Sequence, residues 1–191
     1  MSKQLYEMSL EELWHLFPIF LTEHKEIWGL WYIEEEKVLK TVLPQNDIKR
    51  ISHIGSTAIK TIHAKPIVDI LIEVSAYCDL EIIKTVMTGN GYICMSQSSN
   101  RLTFNKGYTE NGFAERVFHL HLRYEGDNDE LYFRDYLIDH TDAAREYEKL
   151  KLQLWKKYEY NRDEYTEAKT DFVIKYTQIA KKLYGLRYIV V

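Results

Sequence analysis

The chain has 191 residues, with 25 lysines and arginines against 29 aspartates and glutamates, for a formal net charge of -4. That balance excludes a general nucleic-acid binder, which needs a strong positive field, while the length suits one buried core with room for a helical part. Two cysteines, Cys78 and Cys94, make no disulfide framework; no apolar run reaches a membrane span and Ser2-Lys3-Gln4 starts no signal peptide, so a cytoplasmic protein is expected.

In chain order, Ser9-Leu10-Glu11-Glu12 forms a capping box and predicts a short helix, which Pro18 interrupts. A longer helix is expected from Lys25 to Leu43, with Trp28, Trp31, Glu35, Val38 and Val42 along one face. After the turn at Pro44-Gln45-Asn46-Asp47 come two strands, Ile48 to Ile54 and Ile67 to Val74. Asp79 caps a helix through Met87 that closes at Gly89-Asn90-Gly91. Three further strands are predicted at Tyr92–Met95, Arg101–Tyr108 and Arg116–Tyr124, with residues 109–115 as a hairpin connection. The remainder reads as helices over Asp129–Ile138, Asp142–Tyr158 and Asp163–Tyr184, the last stopped by Gly185, with an apolar tail from Arg187 to Val191. The expected architecture is one α/β (α+β) domain over 1–191. It has N-terminal helices in 1–45, a mixed sheet carrying the site motifs in 46–125, and C-terminal helices in 126–185 packed alongside.

Chemistry concentrates in the sheet. His53-Ile54-Gly55-Ser56-Thr57 reads as a strand end turning through a glycine into a helix start, whose N–H groups suit an anion. The following strand puts Val68, Ile70, Ile72 and Val74 on an apolar face and Asp69, Leu71 and Glu73 on the other. A carboxylate at Asp69, amid so apolar a strand, calls for a cation or for hydrogen-bond donors. Glu73, near the strand end, is expected to be solvated. His119 and His121 share one face of their strand, about 7 Å apart. They read either as ligands to a metal shared with Asp69 or as two exposed histidines. One carboxylate with two imidazoles suits zinc or manganese better than magnesium. Lys65, Arg101, Lys106, Arg134 and Lys169 are the cations available to a phosphate. Lys169 falls on the stripe Tyr165, Phe172, Tyr176, Leu183, either snorkelling past the core or facing an anion. P-loop, dinucleotide-binding and nucleophile-elbow motifs are absent, as is any metal-type Cys-x-x-Cys.

Several separated blocks together resemble the GrpB (UPF0157) family. They are His53-Ile54-Gly55-Ser56-Thr57-Ala58, Ala64-Lys65-Pro66-Ile67-Val68-Asp69-Ile70-Leu71, His119-Leu120-His121-Leu122, Leu131-Tyr132-Phe133-Arg134-Asp135-Tyr136-Leu137, Ala143-Ala144-x-x-Tyr147-x-x-Leu150-Lys151, and Tyr165 with Lys169-x-x-Phe172. The resemblance implies a branch of the nucleotidyltransferase superfamily. There a Gly-Ser turn receives nucleotide phosphates and a strand carrying two carboxylates holds two metals for in-line transfer. Gly55 and Ser56 match the turn and Asp69 the first carboxylate, but Leu71 stands at the second. The implied site comprises Asp69, Lys65, Arg134 and Lys169 for catalysis, Gly55, Ser56, Thr57, Arg101 and Lys106 for phosphates, and Asp69, His119 and His121 for a divalent metal (Mg, Mn or Zn). A similar domain follows dephospho-coenzyme A kinases, implying a nucleotide or coenzyme A-like ligand. The implied function is a metal-dependent nucleotidyltransferase-like protein acting on a small acceptor. The alternatives are a binding module without catalysis and a folding-assistance module.

Overall fold

The structure, a computed structural model, describes residues 3–189, so Ser2 and the last two residues of the apolar tail lie outside it. Seven α-helices and five strands follow in the order α1 (Leu10–Leu16), α2 (Ile27–Val42), β1 (Ile48–Ile54), β2 (Val68–Val74), α3 (Leu80–Gly89), β3 (Ile93–Gln97), β4 (Arg101–Thr109), β5 (Gly112–Tyr124), α4 (Asp129–Asp139), α5 (Thr141–Tyr158), α6 (Arg162–Glu167) and α7 (Thr170–Tyr184). The capping box forms as the sequence specifies: Ser9 Oγ accepts from the Glu12 N–H at 3.2 Å and the Glu12 carboxylate accepts from the Ser9 N–H at 2.6 Å. Asp79 likewise caps α3 through the Glu81 N–H, at 2.9 Å. Among the described residues no helix is long and apolar enough to cross a membrane.

The strands form one mixed sheet in the order β1-β2-β5-β4-β3. β2 and β5 run parallel, in register from Val68↔Phe118 to Val74↔Tyr124, and the other neighbours are antiparallel. One face carries the main core, in which Val68, Ile70, Ile72, Phe104, Phe118 and Leu120 pack beneath Trp28 and Leu39 of α2 and Ile83 and Met87 of α3. The other face meets the C-terminal helices: Leu71 packs with Ile54 and with Leu131 of α4. Ile59 and Ile62 pack with Leu137, Ala144, Tyr147 and Tyr176 of α4, α5 and α7. A strand buried on both sides needs apolar residues at every position, and β2 supplies them everywhere except Asp69 and Glu73.

Several expectations change. The inward face of α2 runs through Trp28, Glu35 and Leu39, while Val38 is exposed. Glu73 is 1% exposed rather than solvated. It is held by Arg50 at 2.9 Å, the Gly126 N–H at 3.0 Å and Asn128 Nδ2 at 2.9 Å. The anticipated loop 109–115 is mostly strand, because β4 and β5 stay paired out to Thr109↔Gly112. A bulge at Gly107, with φ +87°, permits this; a Cβ there would overlap the Arg116 carbonyl. The single C-terminal helix is two. The N–H of Lys169 bonds back three residues to Thr166 at 3.2 Å, and the chain restarts as α7 at Thr170. Leu183, on the proposed stripe, is exposed.

Candidate functional site

Gly55 ends β1 with φ +69° and ψ -171°, and a Cβ there would overlap Asp69 Oδ2. Glycine is therefore required twice, by conformation and by the approach of the carboxylate. Residues Ser56–Ala58 then make one 3-10 turn rather than the start of an α-helix. Three residues carry no useful macrodipole, so any anion held here owes its attraction to side chains. Thr57 is 2% exposed and faces inward, its Oγ1 donating to the Ile67 carbonyl at 3.2 Å and meeting His53 Nε2 at 2.9 Å. It shapes the turn and does not line the cleft. Burial pushes His53 down to about 4, so this imidazole is neutral and donates through Nε2.

Register places Asp69 opposite His119 on the parallel pair, with His121 one pleat further along the same face. Asp69 Oδ1 lies 3.3 Å from His119 Nδ1 and 3.5 Å from His121 Nε2. Burial alone would raise the Asp69 carboxyl, but hydrogen bonds from the two imidazoles outweigh it and hold the group far below the usual carboxylate range. Behind His119 a chain continues: the Tyr108 hydroxyl meets His119 Nε2 at 2.7 Å and accepts from Arg162 Nη2 at 2.9 Å. Because the guanidinium only donates, the Tyr108 O–H points at His119 Nε2, and His119 carries its proton on Nδ1 towards Asp69. Burial lowers the His119 pKa, which keeps that ring neutral. In His121 the nitrogens are exchanged: the Arg123 guanidinium lies 3.5 Å behind Nδ1, which leaves Nε2 facing Asp69.

Above this floor lies a cleft of about 280 Å³, lined by Gly55, Ser56, Asp69, His119 and His121 of the sheet side and by Arg134, Tyr147, Lys151, Tyr165 and Lys169 of the helices, with Lys65 beside them. Lys65 and Lys169 share the ring of Tyr165, their Nζ atoms 5.4 and 4.2 Å from its centroid. Lys151 is 2% exposed, donating to Ser56 Oγ at 3.0 Å and to the His63 carbonyl. Burial, then the neighbouring cations Lys169 and Arg162, push Lys65 down to about 7. Burial and Lys169 bring Lys151 to about 7, and burial brings Lys169 to about 8. Asp69 is the one acid among the lining residues, against Lys65, Arg134, Lys151 and Lys169.

The fold thus gathers Gly55, Ser56, Lys65, Asp69, His119, His121, Arg134 and Lys169 around one space. Arg134 is partly committed: it donates to the His53 carbonyl at 2.7 Å and to Asp135 at 2.7 and 2.8 Å, pinning α4 to the end of β1. Besides Thr57, two expected phosphate ligands lie outside the cleft. Arg101 grips Asp127 with two 2.7 Å bonds at the far end of β4. Lys106 crosses to the opposite face of the sheet, where it meets Glu35 at 2.6 Å. Lys151, Arg162 and Tyr108 are additions. Lys151 was visible as a charge on the buried stripe Ala143, Ala144, Tyr147, whereas nothing local marked the other two.

Among the described residues, no three His, Cys, Asp or Glu side chains converge as they would around a bound metal. The donor set explains why: both imidazoles turn N–H towards Asp69 and lone pairs away from it. A metal needs those lone pairs pointing inwards. The residues present do not fit the divalent metal site expected of Asp69, His119 and His121.

The GrpB protein family model matches residues 18–179. The glutamate-rich protein GrpB of Alkalihalophilus pseudofirmus is 36% identical over 162 residues, covering 81% of this chain and 91% of that protein. The UPF0157 protein YqkA of Bacillus subtilis is 31% identical over 179 residues, which span 91% of this chain but 51% of YqkA. The crystal structure of the conserved protein GrpB from Enterococcus faecalis superposes with a TM-score of 0.74 at 29% identity, covering 86% of this chain and 99% of that one.

Proposed function

This chain belongs to the GrpB family, and from that premise we propose that its cleft binds the phosphates of a small phosphorylated molecule, a nucleotide above all. One observation carries the reading: Lys65 and Lys169 stand in the cleft against the same tyrosine ring, and among the described residues no carboxylate is hydrogen-bonded to either. Crowding buried ammonium groups is unfavourable in the empty protein, and an anion entering the cleft reverses the sign of that interaction. The lysines are then a standing demand for negative charge, of the kind phosphates supply. Lys151 holds Ser56 in place, and Arg134 reaches the same space from α4.

In the nucleotidyltransferase superfamily that the family's motifs resemble, paired metal ions neutralise the transferring phosphates. Here Leu71 occupies the second carboxylate position and is fully buried against Ile54 and Leu131. Lysines and arginine stand where neutralising charge is wanted, and the proposed binding needs no metal. Asp69 is too acidic to take a proton efficiently, so its part is to orient His119 and His121. Nucleotidyl transfer to a small acceptor is the second reading, favoured by a neutral His119 at the cleft floor. In that case His119 Nε2 accepts the acceptor's proton after Tyr108 turns aside.

The test is calorimetric titration with tripolyphosphate and with nucleoside triphosphates, with and without Mn²⁺. Saturable binding without metal is expected, weakened about tenfold or more by Lys65→Met and by Lys169→Met, about 1.4 kcal/mol for each decade. Absence of binding, or binding indifferent to both variants, would overturn the reading. Binding that requires Mn²⁺ and is lost in both His119→Ala and His121→Ala would restore the metal site. Steady pyrophosphate release with hydroxyl acceptors, abolished by His119→Asn, would establish transfer.

A further inference from the structure

A second and larger space, of about 1010 Å³, runs between α1 and the strands β3 and β4. Trp14, Phe17, Ile93, Met95, Asn105 and Tyr108 are among the residues that line it. We propose that this groove receives the heteroaromatic base of the nucleotide whose phosphates occupy the lysine cleft, and that Asn105 reads the edge of that base. The inference rests on the phosphate reading and names the part of the ligand which the cleft alone does not explain.

Two independent features support it. The first is continuity. Thr166 borders both spaces, and the Tyr108 side chain that lines the groove ends in the hydroxyl bonded to His119 in the cleft. Two hydrogen bonds, Tyr108 to His119 and His119 to Asp69, therefore join the groove wall to the cleft floor. A ligand with its phosphates on Lys65 and Lys169 would reach the groove across Thr166, the residue the two spaces share.

The second is Asn105. It pairs with His119 across the β4–β5 ladder, so it stands on the face of the sheet that carries the site. Only 9% of it is exposed, and among the described residues its carboxamide has no hydrogen-bond partner while lining the groove. A primary amide presents donor and acceptor side by side, the pattern that matches the polar edge of a nucleobase. The aromatic wall supplies the complementary surface: the Phe17 and Tyr108 rings lie 4.7 Å apart, centroid to centroid, with Trp14 beside them. A base has two apolar faces and one polar rim, so aromatic rings and one free amide are what its recognition requires. An acyl chain would use the rings but leave Asn105 unsatisfied.

The experiment titrates ATP, GTP, CTP, UTP and tripolyphosphate into the wild-type protein, Asn105→Leu and Trp14→Ala, following heat and tryptophan fluorescence. The expected result is at least one nucleotide binding about tenfold tighter than tripolyphosphate. Asn105→Leu should erase that advantage and the preference among bases while leaving tripolyphosphate unchanged. Trp14→Ala should weaken nucleotides alone and remove part of the fluorescence quenching. Trp14 lies on a surface helix, so this variant decides the matter if Asn105→Leu proves unfolded by circular dichroism. If tripolyphosphate binds and no nucleotide exceeds it, or if both variants bind nucleotides as the wild type does, the groove proposal falls and the cleft reading stands. If neither tripolyphosphate nor nucleotide binds, both fall.

Discussion

Two settings in this fold bury charge in opposite ways. Beneath α2, Lys106 is met by Glu35 at 2.6 Å, with the Tyr92 hydroxyl bonded to the same carboxylate. At the end of β2, Glu73 is met by Arg50, Gly126 and Asn128. Each of these charges has a counter-charge supplied by the chain. Beneath the C-terminal helices, Lys65, Lys151, Lys169 and Arg134 line a space with Asp69 alone, and Asp69 is already taken by His119 and His121. A charge balanced within the fold contributes to the fold; an excess of one sign in a cleft is balanced by something that arrives. The same reasoning treats the lysine that was expected in the site, Lys106, as structural, and finds Lys151, which was not on that list.

Substitutions in the two settings should therefore change stability with opposite signs. The largest effect is expected from Glu73→Ala, which leaves Arg50 without its carboxylate and removes one of the two acceptors of Asn128; a loss of about 3 kcal/mol in urea unfolding is expected. An unchanged midpoint would mean that the pair is not balanced by the fold at all. On the cleft face, Lys65→Met or Lys169→Met should instead raise the midpoint by about 1 kcal/mol, since the ammonium is lost and no partner is orphaned. Those are the same variants expected to weaken phosphate binding. A variant that lost stability and kept affinity would erase the distinction between charges balanced by the fold and charges awaiting a ligand.

The smallest effect, and the most diagnostic in sign, is on pH. Lys65 and Lys151 sit at about 7 and Lys169 at about 8, against an ordinary lysine value of 10.5. Between those limits the unfolded chain holds more protons than the folded one, so these lysines make stability rise with pH from about 7 to 10.5. Phosphate affinity must run the other way, falling over the same window as the lysines lose charge. Binding at pH 8 should take up protons, seen as a calorimetric heat that scales with the ionisation enthalpy of the buffer. Proton release, or affinity that climbs with pH, would contradict the lysine assignment.

Much of this was legible before any coordinates. The capping boxes, the paired strands and the convergence of Asp69 with His119 and His121 follow from local signals and period-two alternation. What escaped was non-local. Glu73 looks like a strand-end charge until Asn128 and the turn at Gly126 fold over it. The break at Lys169 carries no glycine or proline, so Thr-Glu-Ala-Lys-Thr reads as continuous helix. Arg162 and Tyr108 meet only because α6 passes across the β4–β5 hairpin. A metal at Asp69 was a fair reading of residue types, but the Tyr108 hydroxyl behind His119 and the Arg123 guanidinium behind His121 set their tautomers, and no spacing rule reveals that.

Gly107 resets the parity of β4. In an uninterrupted strand, positions 106 and 108 would share a face, and the tyrosine would lie with Lys106 under α2. The bulge breaks the even–odd count by one, so Lys106 reaches Glu35 while Tyr108 reaches His119. One residue without a side chain thus sorts two neighbours into different jobs, one joining the core and one joining the site. Any attempt to transplant this site into another sheet has to carry the miscount along with the residues. A regular strand that kept a residue at 107 would carry the tyrosine to the side of Lys106 and withdraw it from the cleft and the groove together.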